Sequence, residues 1–128
     1  APWLADRRTR EAFDLVASSP RDAAAKARSA HELDPLSIQA LWTLASAEAA
    51  AGDDASARER HETAVRIEPQ NPETWYELGC FALSRGRDVG AAAAFLEQSD
   101  RLDPSGPAAP VLAELDAALV AGTEPPVC

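Results

Sequence analysis

Apolar residues recur along this chain at helical intervals, and no stretch holds the sustained alternation of a half-buried strand. The breaks between the apolar runs are regular. Leu33-Asp34-Pro35, Ile67-Glu68-Pro69 and Leu102-Asp103-Pro104 are three copies of one tripeptide pattern, spaced 34 and 35 residues apart. Leu44-Ala45 is echoed by Leu78-Gly79, and Gly52 by Gly86, each at a distance of 34. Ala30, Ala64 and Ser99 each stand three residues before the aliphatic residue of the tripeptide. Proline lacks an amide donor and disfavours helix in the residue before it, so each tripeptide ends a helix. Gly52 and Gly86 follow apolar runs and suit the left-handed end of a helix. Asp53 or Asp54, and then Asp88, are ready N-caps for the helices that follow. Asn71-Pro72-Glu73 and Ser19-Pro20 read as helix starts.

The pattern predicts seven helices, over 3–17, 20–33, 37–51, 54–67, 72–85, 88–102 and 107–121. Their loops of two to four residues suit antiparallel neighbours. The last helix has no pairing partner. Val111, Leu112, Leu115 and Leu119 form its apolar face, spaced to cap the final pair. Gly122 ends it, and 123–128, with Pro125-Pro126, is expected to be a flexible tail.

Composition agrees with close helix packing. Ala fills 29 of the 128 positions, against three Phe, three Trp and one Tyr. The net charge of -9 argues against a nucleic-acid partner, which needs clustered Lys and Arg. Leu36 to Ala47 is the longest uncharged stretch, 12 residues, too short to cross a bilayer. No signal peptide opens the chain, and the absence of Met is expected of a processed product or a piece of something longer. Cys80 and Cys128 cannot make a disulfide framework, so packing is expected to carry the stability.

These positions resemble the tetratricopeptide repeat. The likeness is good over about 35–104 and weaker over 4–34. The family pattern falls on Leu41, Leu44, Ala45, Gly52, Ala57, Ala64 and Pro69 in one unit. In the next it falls on Trp75, Leu78, Gly79, Gly86, Ala92, Ser99 and Pro104. There Arg87-Asp88-Val89-Gly90 carries one extra residue, so the second helix shifts by one. In the first unit Ala23, Ala27, Ala30 and Pro35 match the second helix. Its first helix departs from the pattern, with Ser18-Ser19-Pro20 at the turn and Ala12 as the small contact residue. The resemblance implies an all-α fold, an α-solenoid of three helix pairs (units 3–35, 36–69 and 70–104) plus a C-terminal capping helix over 107–121. The array as a whole would form a single domain over 1–122. Small residues at Ala45, Gly79, Ala57 and Ala64 let paired helices approach, while Leu44, Trp75, Leu78, Leu96 and Leu102 fill between pairs.

In this family the first helix of each pair lines a concave groove that holds partner peptides or helices. By resemblance the groove carries Gln39, Trp42, Thr43 and Ser46, then Glu73, Tyr76, Glu77, Cys80 and Ser84, with Thr9, Arg10 and Phe13 joining from the first pair. Trp42 and Tyr76, 34 apart, are expected one above the other as an aromatic strip that anchors an apolar or basic side chain. The plainer reading, that both rings cover neighbouring helices, stays open. The positions where related repeats place Lys, Arg and Asn to clamp a carboxylate tail hold Trp42, Ser46, Tyr76 and Cys80, so an acidic tail is not the expected ligand. Residues 1–35 are net neutral, while 36–69, 70–104 and 105–128 are each -3. This favours a neutral or basic protein partner, with a solvated, solubilising face as the alternative.

Enzyme chemistry finds no foothold in the sequence. His31 and His61 are 30 apart, off the repeat, and no metal-ligand spacing occurs. His61 is expected to be a packing residue, and Cys80 a structural or groove-lining thiol. No catalytic residue, cofactor or metal is expected. Ala1-Pro2-Trp3-Leu4-Ala5 followed by Arg7, Arg8 and Arg10 is similar to the start of repeat tails that follow the last span of bacterial O-antigen ligase-like polymerases. That likeness implies a membrane-embedded portion upstream of Ala1; the alternative is an amphipathic first helix. Three roles are thus open: a non-catalytic scaffold binding a peptide or helix, an appendage of such a membrane protein, and a homo-oligomerisation module. A soluble segment is expected, cytoplasmic or attached to a membrane protein.

Overall fold

The computed structural model describes residues 2–128; Ala1, where the expected domain begins, lies outside them. Among the described residues there are seven α-helices: α1 (Pro2–Leu15), α2 (Pro20–Leu33), α3 (Ile38–Ala50), α4 (Asp54–Ile67), α5 (Pro72–Phe81), α6 (Val89–Leu102) and α7 (Ala108–Ala121). No helix among them is long and apolar enough to cross a membrane. The chain divides into two compact units, one ending at Ile67 and one beginning at Glu68.

In the first unit, α1 packs on α2, α2 on α3, α3 on α4, and α1 also reaches α3. Alanine makes this closeness available. Ala12, Ala23, Ala27, Ala30, Ala57 and Ala64 are all fully buried, as their place in the repeat predicts. Ala12 and Ala27 close on Leu44 in one cluster, and Ala64 meets Ile38 and Leu41 in another. Ser37 caps α3 by accepting from the Ala40 amide at 3.2 Å, and Asp53 caps α4 by accepting from the Ser56 amide at 3.1 Å. Gly52, at φ 89°, takes the left-handed turn between them.

One contact of this unit left no mark in the repeat pattern. Glu48 on α3 is 5% exposed, and Arg60 on α4 grips it with two bonds, Nε to Oε1 at 3.0 Å and Nη2 to Oε2 at 3.2 Å. A forked guanidinium matches a carboxylate in this way, and the pair ties α3 to α4 with fixed geometry.

The second unit pairs α5 with α6 and lays α7 on α6. Asn71 caps α5 through the Glu73 amide at 3.0 Å, and Asp88 caps α6 through the Ala91 amide at 3.0 Å. A Cβ placed on Gly79 would meet Leu96 Cγ at 2.8 Å, so the glycine is what lets α5 and α6 touch. The Trp75 indole donates to the Pro69 carbonyl at 2.8 Å, and its ring lies 6.2 Å from that of Phe95.

Two expectations for this unit are corrected. Gly86 does not take the left-handed turn. Beyond Phe81 the helix widens into a π turn, Ala82–Gly86, which absorbs one residue and moves the left-handed position to Arg87 at φ 49°. The buried stripe of α7 is Ala108, Val111, Leu115 and Ala118, spaced 3-4-3, with Leu112 partly buried beside it. Leu119 falls off that stripe and is 60% exposed.

Candidate partner-binding surface

Helix geometry places Glu73, Tyr76, Glu77, Cys80 and Ser84 along one face, since residues three and four apart are neighbours. In the second unit this face borders a cleft of about 370 Å³ lined by Pro72, Glu73, Tyr76, Glu77, Asp103 and Pro107, with Ser99 at its floor. Three carboxylates and no cation border the cleft. Ser99 is buried and donates its hydroxyl to the Pro72 carbonyl at 2.9 Å, which joins the wall of α6 to the start of α5. Tyr76 is half-buried, its ring packed against the cluster around Leu96 and Leu115. Asp103 accepts from the Ser105 amide at 3.2 Å, so a loop bond orients its carboxylate. Burial holds the Glu77 carboxyl above the usual carboxylate range, and the nearby charge of Glu73 adds to the effect. A cation entering the cleft would favour the ionised carboxylate and so oppose both effects.

Cys80 departs from expectation. It is not a groove-lining thiol: its sulfur is bonded to that of Cys128, 48 residues on, at 2.08 Å. The segment 123–128 is therefore not a free tail. The two cysteines could pair because the chain after α7 turns back at Gly122, φ 68°, and runs towards α5. Far apart in sequence and unsupported by any framework of further cysteines, they gave no local signal of the pairing.

In the first unit the corresponding positions divide. Gln39 and Ser46 are exposed on α3. Trp42 is half-buried, with its ring against Ile38, Leu41, Ala64 and Ile67. It therefore does cover neighbouring helices, as the plainer reading had it, while remaining partly exposed. Thr43 is 3% exposed and donates its hydroxyl to the Gln39 carbonyl at 2.9 Å, so it offers a partner nothing. A threonine that bonds back to its own helix can be buried without cost in unpaired groups, which is why its polarity misleads. Thr9 is buried in the same way on the Ala5 carbonyl at 2.9 Å. Arg10 is exposed and paired with Asp6 at 2.9 Å, and Phe13 is 66% exposed. His61, as expected, is a packing residue: burial alone lowers its pKa to about 4.

Comparison with known proteins now bears on these surfaces. A family model described as tetratricopeptide repeat matches residues 38–79, from the start of α3 to Gly79 of α5. Residues 38–79 are thus similar to a tetratricopeptide repeat. No curated protein matches the sequence. Among solved structures, the chain is similar to the first tetratricopeptide domain of Spaghetti bound to the HSP90 peptide SRMEEVD. The TM-score is 0.76 at 16% identity, over 94% of this chain and 96% of that one. It is also similar to the type III secretion chaperone SycD of Yersinia enterocolitica in complex with a peptide of the translocator YopD. There the TM-score is 0.70 at 16% identity, over 91% of this chain and 89% of that one. A second structure of that chaperone gives 0.69 at 17% identity, covering 91% and 81%. The all-α tetratricopeptide-repeat fold expected from the sequence is borne out. Within the repeat, Leu41, Leu44, Ala45, Ala57 and Ala64 are buried packing positions, whereas Gln39 and Ser46 face outward.

Proposed function

We propose that this chain is a non-catalytic protein-interaction scaffold whose α5 face takes a peptide bearing a basic side chain beside an apolar one. The observation that carries the reading is the cleft beside Tyr76. Its border of Glu73, Glu77 and Asp103 holds three acids and no base, and the tyrosine ring supplies an apolar wall. Both peptide-bound neighbours, the Spaghetti domain and the SycD chaperone, lend support as tetratricopeptide folds that hold peptides. The acidic HSP90 peptide belongs to the Spaghetti domain; an acidic ligand here would face carboxylates. Gln39, Trp42 and Ser46 on α3 are a second strip open to the same class of partner. The surface is preorganised, so a docking peptide bears most of the ordering entropy alone.

The test uses a fluorescein-labelled peptide of three Leu-Arg-Leu triplets and its counterpart with Glu in place of Arg. The Arg peptide binds and the Glu peptide does not, and the affinity falls as salt rises. Tyr76→Ala weakens it about tenfold, and Glu77→Gln about threefold, with helix content unchanged by circular dichroism. Equal binding of the two peptides, or no effect of either variant, defeats the assignment. A second reading, self-association through α7, draws on the exposed Leu119 and Val120. Sedimentation at several concentrations separates it from a monomeric peptide binder.

A further inference from the structure

We infer that residues 123–128 are a covalently held strap over the partner-binding face of α5, and that thiol chemistry controls access to that face. The inference rests on the reading of α5 just given. The disulfide places Cys128 directly on Cys80, which lies one turn beyond Tyr76 and Glu77 on the same side of the helix. From there the strap runs beside the π turn. A cleft of about 360 Å³ separates them, with Leu83, Ser84, Arg87 and Val89 on one wall and Glu124 to Val127 on the other. A strap that filled this space would be part of the core. This one spans an opening, and Pro125-Pro126 keeps it extended.

The bond decides how much of the face a partner can use. With the strap in place, Cys80 is taken and Ser84, though exposed, is cut off from the rest of the face, so the continuous strip runs from Glu73 to Glu77, about 6 Å at the helical rise per residue. Without it the strip runs from Glu73 to Ser84, about 17 Å. A tethered segment already competes at high effective concentration, and a bonded one cannot be displaced at all.

Release needs a dithiol reductant. One thiolate of the reductant attacks the Cys128 sulfur, which lies on an exposed residue. The S–S bond breaks, and Cys80 leaves as a thiolate and takes up a proton. The second thiol of the reductant, giving up its proton, then attacks the mixed disulfide and frees Cys128. Two electrons pass to the protein, and the reductant ends as its own disulfide.

Two measurements test this on the whole chain. The first is binding of the Leu-Arg-Leu peptide to the oxidised protein, to the protein reduced with dithiothreitol, and to Cys128→Ser. Reduced protein and variant are expected to bind at least tenfold tighter than the oxidised form. The second needs no ligand: hydroxyl-radical labelling of Leu83 and Val89 rises several-fold in Cys128→Ser. Equal affinity in all three forms, with Tyr76→Ala still weaker, overturns the strap and leaves the face as a binding surface. Loss of the Tyr76→Ala effect in every form defeats the binding surface, and with it the gating. Unchanged labelling overturns the covering contact itself. Loss of helix content on reduction also overturns gating, because the bond is then a structural staple.

Discussion

Single residues set the tolerances of this fold. Gly79 stands where the preceding unit has Ala45, and the Leu96 side chain leaves no room for even that methyl group. Gly79→Ala gains about 0.8–1.0 kcal/mol of helix propensity but forces Leu96, fully buried, to move. Overpacking of this kind costs about 1–3 kcal/mol, so a net loss of stability is expected in urea unfolding. The buried His61 gives the first unit a pH dependence. Its pKa in the folded chain, about 4, lies below the ordinary 6.5, so the native state favours the neutral ring. Stability from this source is complete above pH 6.5 and lost as pH falls from 6.5 towards 4, about 3 kcal/mol over that window. Urea midpoints at pH 7, 5 and 4 will show the decline, and His61→Leu will lack it.

At the level of helices, much of the structure was legible because ends are written in local chemistry. The spans 20–33 and 54–67 agree with the observed α2 and α4 to the residue. Ser19-Pro20 and Asp53 start them, and the Asp34-Pro35 and Glu68-Pro69 pairs stop them. Where α5 ends was harder to read. The sequence shows an extra residue after Gly86, yet the structure takes it up earlier, in the π turn over Ala82–Gly86. No local residue type marks a π turn; Leu83, within this one, packs into the cluster formed with α6 and α7. The consequence falls on Arg87, an L-residue held at φ 49°. A left-handed backbone costs such a residue about 1–2 kcal/mol, and Gly adopts it freely but loses more entropy on folding. Arg87→Gly is therefore expected to stabilise the fold slightly, by up to about 1 kcal/mol, seen as a raised thermal midpoint. An unchanged or lowered midpoint would show that the Arg87 side chain offsets the strain. The proposed binding face was legible in part. Tyr76, Glu77 and Ser84 could be placed from repeat spacing, but the burial of Thr43 could not, because spacing does not say which polar groups bond back to their own helix.

The molecule as a whole is governed by a bond that spacing did not foretell. Cys80 and Cys128 enclose 48 residues of chain separation, so oxidation removes a large share of the disorder available to the unfolded second unit. The loss on reduction is expected to be about 2–4 kcal/mol, measured as a drop in the denaturant midpoint. No drop would mean that native-state strain cancels the entropic gain. Disulfides persist in oxidising surroundings and open where dithiols abound, so the same chain presents different surfaces in the two settings. The surplus of acid, -9 over the chain, agrees in sign with the basic partner proposed above.

Ring closure has a further outcome for the life of the protein once damaged. Every peptide bond from α6 through α7 lies inside the loop that the two sulfurs close, so a protease nicking the chain there produces two ends but no separate fragments. Such a nicked molecule stays covalently joined, heavier only by the water of hydrolysis, until the sulfurs part, and only then does one break become two pieces.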